Sequence, residues 1–160
     1  MATRTADDQV TESIASALLT VARAMTQVKV HEGLCRQAGV DLDRGGAALL
    51  YKLYAEGENV RLTDLAERLG IDSPAVTRKV QQLERRGLVA RSPDPVDARA
   101  SRLRLTPDGR GAIECLLDAR RLWLAQLLEG WSDADRRHLA RLLQLFSETV
   151  TRHTEVGHGR

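Results

Sequence analysis

The residues best equipped for chemistry lie between positions 73 and 104. Ser73, Pro74, Thr77, Arg78, Lys79, Gln81 and Arg85 all fall in "SPAVTRKVQQLER". On a helix, Pro74, Thr77, Arg78, Gln81 and Arg85 share one face, opposite Val76, Val80 and Leu83. Arg and Gln can pair bidentately with guanine or adenine edges, and a helix fits the major groove of duplex DNA. Ser73, Thr77, Lys79 and the N–H groups of the helix start are donors suited to phosphate oxygens.

A second set follows in "DPVDARASRLRLTPDG", residues 94–109. Pro93 and Pro95 stiffen the loop 93–100, so its tip loses less entropy on docking. Asp97 stands two residues before Arg99. A carboxylate repels a polyanion, so its expected task is to hold the Arg99 guanidinium in position, within reach of a minor groove. Leu103 and Leu105 alternate with Arg102 and Arg104, which places the arginines on the outward strand face, toward a phosphate backbone.

The elements that must position these side chains follow from apolar spacing and stop signals. Val10, Ile14, Leu18, Val21, Met25 and Val28 form one stripe of a helix expected over 9–36. "AGVDLD", 38–43, breaks it. A further helix buries Ala47, Leu50, Leu53 and Tyr54 and ends at Gly57; Gly45 and Gly46 weaken its first turn. "NVRL", 59–62, suits a short strand. Thr63 caps a short helix that buries Leu65, Ala66 and Leu69. After a turn at Gly70–Asp72, Ser73 caps the next, with Pro74 in its first turn. Gly87 stops that helix. "LVARS", 88–92, and "SRLRL", 101–105, read as strands. Thr106-Pro107 caps a helix reaching about 129, and Ser132 with Asp135 forms a capping box for a last helix, 133–152. The tail from 153 reads as frayed.

Composition narrows the partner. Residues 73–110 carry nine Lys/Arg against four Asp/Glu, and the rest of the chain carries 15 against 18. A basic segment in an otherwise acidic chain is the footprint of a polyanion. Five aromatic residues in 160 are too few for stacking recognition of single strands. Cys35 and Cys115 form no disulfide framework, and neither a signal peptide nor a membrane-spanning run is visible. A soluble cytoplasmic protein is the expectation, with no membrane partner. His31 and Cys35 share a helix face, but two groups fall short of a metal site. No cofactor or metal is expected. An enzyme is not expected either, because no nucleophile elbow, P-loop, HExxH or dinucleotide fingerprint occurs.

Residues 62–109 resemble the multiple antibiotic resistance regulator (MarR) family, most specifically in "LERRGLVAR", "DPVDARA" and "LRLTPDG". The resemblance implies a mainly α protein with a small β-hairpin wing: a winged helix-turn-helix flanked by N- and C-terminal dimerisation helices. The corresponding parts are 1–36, an N-terminal dimerisation helix; 43–105, the DNA-binding domain; 106–152, C-terminal dimerisation helices; and 153–160, a tail. It implies a homodimer on a pseudo-palindromic double-stranded operator, with half-sites roughly 10 bp apart. Repression relieved by a small anionic or aromatic effector is the usual family behaviour, and Thr77 and Arg91 are the positions that touch bound anions in some members. Ala98 departs from the family, which often has a basic residue there. Two alternatives stay open: a redox sensor acting through Cys35, and a helical protein-interaction module without DNA binding.

Overall fold

Apolar spacing does produce a helix at the N-terminus, but Thr26 divides it. The Thr26 hydroxyl donates to the carbonyls of Ala22, at 2.7 Å, and Arg23, at 3.2 Å. The break itself lies at Gln27, whose extended backbone cannot continue the helix. The expected helix 9–36 is therefore two: α1, Ala6–Met25, and α2, Val28–Ala38. The Thr26 carbonyl accepts instead from Arg44 Nη1, at 2.7 Å. The structure, a computed structural model, describes residues 6–57, 60–69, 73–97 and 100–157, without the side chains of 66–69, 73 and 155–157. The chain divides into two units, Met1–Arg120 and Arg121–Arg160.

In the first unit, Asp43 caps α3, Arg44–Glu56, by accepting from the Gly46 N–H at 2.8 Å. β1, Val60–Arg61, leads into α4, Leu62–Leu69. The expected Thr63 cap is displaced, because the helix already starts at Leu62 and the Thr63 hydroxyl donates to Asp64. α5, Ser73–Arg85, closes with Gly87 at φ +70°. The Leu88 N–H bonds the Leu83 carbonyl and the Gly87 N–H that of Glu84. This is the Schellman pattern, and its left-handed residue favours glycine. The turn 70–72 lies outside the described residues.

β2, Val89–Pro93, and β3, Ser101–Leu105, pair antiparallel with Val89 opposite Leu105 and Arg91 opposite Leu103. β1 adds to the other edge of β3, Val60 opposite Leu103, so the sheet has three strands in the order β1-β3-β2. Leu49, Leu50, Leu53, Leu65, Val80, Leu83, Leu103 and Ile113 form the fully buried centre. The fold is thus mainly α with a small antiparallel sheet, as the sequence implied.

Thr106 caps α6, Pro107–Leu127, accepting from the Gly109 N–H at 3.0 Å. α1 buries none of its residues; its stripe from Val10 to Met25 is 37–59% exposed. In the second unit Ser132 caps α7, Asp133–Gly157: it accepts from the Asp135 N–H at 3.1 Å and donates to that carboxylate at 2.6 Å. Where fraying was expected from 153, α7 continues to Gly157, because "RHTEV" contains no glycine or proline to stop it. Leu142, Leu143, Leu145, Phe146 and Val150 on α7 are exposed.

Candidate nucleic-acid interface

α5 turns Val76, Val80 and Leu83 into the core and leaves Pro74, Arg78, Gln81 and Arg85 exposed. At 100° per residue these four fall within an arc of about 60°. They form one straight stripe of two guanidinium groups, an amide and a ring without an N–H. Thr77 is half-buried at its edge. Ser73 is the first residue of α5, and its side chain lies outside the description.

The cations on the flanks of α5 have partners within the chain. The Lys79 ammonium donates to the Asp43 carboxylate and, at 2.9 Å, to Gln82 Oε1. Arg86 donates to the Asp41 carbonyl and stands 3.7 Å from its carboxylate. On the opposite flank Arg91 reaches both carboxylate oxygens of Glu84, at 3.3 and 3.2 Å. The two glycines that weaken α3 leave room beside the first of these contacts. A Cβ on Gly45 would stand 3.3 Å from Lys79 Cε, and one on Gly46 would stand 2.9 Å from Asp43 Oδ1. Partial burial pushes the Asp43 carboxyl up, but the Lys79 ammonium and the Gly46 N–H outweigh it and hold the group below its ordinary value.

The wing is organised by a residue that the sequence reading passed over. Asp94 is buried beneath the turn. Its carboxylate accepts from Arg61 Nε at 2.7 Å, Arg102 Nε at 2.8 Å, and the N–H groups of Val96 and Asp97 at 2.8 and 3.1 Å. Arg61, followed by the Val96 N–H and Arg102, holds its carboxyl well below the usual carboxylate range. Arg102 is therefore tied into the wing base, whereas Arg104 is exposed on the outward strand face. The Asp94 N–H bonds the Ala100 carbonyl, closing the loop. Asp97 is exposed, and the expected Asp97–Arg99 pairing lies outside the described residues because Arg99 does. An Asp directly before Pro is an Asx-turn signal, which was the cue available for Asp94.

"LTPDG" welds the wing to the end of α5. The Thr106 N–H bonds the Leu88 carbonyl at 3.2 Å and its hydroxyl donates to the Gly87 carbonyl at 2.6 Å. A Cβ on Gly109 would lie 1.8 Å from the Leu88 carbonyl oxygen. No side chain fits there, so the orientation of the wing relative to α5 depends on this glycine.

Arg91 and Thr77 do not line the main cavity of the first unit. That cavity, of about 300 Å³, is lined among others by Met25, His31, Arg44, Tyr51, Leu116 and Arg120. His31 Nε2 and Cys35 Sγ both lie within bonding distance of the Leu42 carbonyl, at 2.7 and 3.3 Å. Burial pushes the Cys35 thiol up, an environment that disfavours the thiolate a redox sensor needs. Among the described residues no group of three or more His, Cys, Asp or Glu could hold a metal, and no helix is long and apolar enough to cross a membrane.

The profile of the MarR family matches residues 44–101. The chain is 33% identical over 105 residues to an HTH-type transcriptional regulator of Bacillus subtilis, YdgJ, a match spanning 66% of this chain and 63% of that protein. Its fold is similar to that of a MarR family protein from Bacillus stearothermophilus, with a TM-score of 0.80 at 23% identity over 94% of this chain and 99% of that one. It is also similar to an S. aureus MepR variant bound to an oligodeoxyribonucleotide, with a TM-score of 0.60 at 20% identity over 85% and 97% of the two chains.

Proposed function

We propose that the chain, whose residues 44–101 match the MarR family profile, is a cytoplasmic regulator of transcription that binds double-stranded DNA as a homodimer. The observation that carries this reading is the exposed stripe of Pro74, Arg78, Gln81 and Arg85 on α5. Arg78 and Gln81 read base edges. Arg85 and Arg104, with Ser73 at the start of α5 and Arg99 outside the described residues, meet backbone or groove. That the similar MepR variant holds an oligodeoxyribonucleotide supports the same use of the fold.

Homodimerisation is supported by the uncovered apolar stripes of α1 and α7, since contiguous exposed apolar surface marks an interaction site. Two copies of α5 then enter successive major grooves. Binding represses, and a small anionic aromatic molecule releases the protein. The cavity with Arg44, Arg120 and His31 at its wall suits that effector better than Arg91, whose guanidinium faces Glu84.

The test is a fluorescence-anisotropy titration with duplexes selected from a random pool. Wild type should bind the selected duplex far better than random duplex, with log K falling by about 0.9 per phosphate contact per decade of salt. Arg78→Ala and Gln81→Ala should erode the preference for the selected sequence. Arg104→Ala should weaken both duplexes alike. Equal affinity of all three variants and wild type for both duplexes would remove the assignment.

A further inference from the structure

We propose that Asp43 and Lys79 are a positioning pair: Lys79 acts on the reading stripe by bracing α5 against the start of α3, not by gripping a DNA phosphate. The inference rests on the DNA-binding reading and revises the phosphate role that the sequence suggested for Lys79.

Lys79 points away from the reading stripe. Lys79 lies about 130° around α5 from the centre of the Pro74–Arg78–Gln81–Arg85 stripe. Its ammonium is turned to the Asp43 carboxylate and to Gln82, and its side chain is 24% exposed. Space has also been left for this contact. Helix-weakening glycines occupy both 45 and 46, and a Cβ at either would press on Lys79 or on Asp43 itself. Asp43 is itself held by α3. One carboxylate oxygen caps α3 through the Gly46 N–H, and the other receives the ammonium. A carboxylate anchored to α3 by its cap bond passes position on to Lys79. Farther along the same flank, Arg86 holds the Asp41 carbonyl. Two fixings seven residues apart, roughly 10 Å along the axis, set both the height and the roll of α5. Roll decides which edges Arg78 and Gln81 face.

The full-length protein tests this with Asp43→Asn, Lys79→Met and the double variant. Asn caps a helix as well as Asp does, so D43N removes charge and keeps α3. Met keeps the apolar stem over Gly45. Affinities for the selected and the random duplex are measured over a salt series, beside Arg104→Ala as a phosphate-type control and with melting temperatures recorded. Each single variant should lower the ratio of selected to random affinity about threefold, the size of a modest pairwise coupling. The double variant should lower it no further. Salt slopes and melting temperatures should stay at wild-type values, whereas Arg104→Ala flattens the slope by about one contact. A flattened slope in Lys79→Met with an unchanged Asp43→Asn would overturn the proposal, as would additive losses. Wild-type protein without duplex affinity would remove the regulator reading and the proposal together, and that control separates the two failures.

Discussion

Two glycines near the start of α6 should respond with opposite sign to the same substitution. Gly109 and Gly111 lie two residues apart in one helix, where alanine is intrinsically favoured over glycine by about 1 kcal/mol. Around Gly111 nothing lies within 4 Å of an added Cβ, so Gly111→Ala should stabilise by up to that amount. At Gly109 the new methyl would meet the Leu88 carbonyl oxygen at 1.8 Å and its carbon at 2.8 Å. Both are backbone atoms, so no side-chain rotation relieves the clash, and α6 must back away from Leu88. That movement stretches the Thr106 N–H to Leu88 bond of 3.2 Å and the Thr106 hydroxyl to Gly87 bond of 2.6 Å. Losing both costs about 2 kcal/mol, and overpacking adds ~1–3 kcal/mol. Set against the helix preference, Gly109→Ala should destabilise by about 2–4 kcal/mol. Urea unfolding followed by far-UV circular dichroism measures the difference directly. A Gly109→Ala protein as stable as Gly111→Ala would refute the close approach and, with it, the account of "LTPDG" as the weld between wing and α5.

Other outcomes follow from the same structure. Arg78→Ala and Gln81→Ala should each cost ~1–3 kcal/mol on the selected duplex and relax preference at the base pairs they face, read by competition binding. Asp94 has a folded value below its unfolded one, so its stabilisation is complete above about pH 4 and is lost as pH falls from there toward the folded value. Wild type should therefore lose thermal stability steeply in acid, while Asp94→Asn starts less stable and changes less; parallel profiles would contradict this. With iodoacetamide near pH 8, exposed Cys115 should be alkylated at least about tenfold faster than buried Cys35. Peptide mass spectrometry checks the order, and equal rates would reopen the sensor reading of Cys35.

Much of the fold was legible because it is local. The glycine stop at 87, the Thr106-Pro107 and Ser132 caps, and the alternation in "SRLRL" each act within a few residues. The break at Thr26 was less visible: no glycine or proline marks it, and Arg44, 18 residues on, satisfies the Thr26 carbonyl. The reading stripe was legible too, because apolar Val76, Val80 and Leu83 fix the opposite face.

The sequence by itself determined which side chains α5 offers outward and which elements flank it, since helical and strand periods depend only on neighbours along the chain. Tertiary structure decided the employment of the remaining charges. Lys79 meets Asp43 across 36 positions, and Asp94 meets Arg61 across 33. Coulomb attraction and hydrogen bonding act over a few ångströms of space, so which carboxylate a cation finds is settled only when the chain has folded and brought the two together.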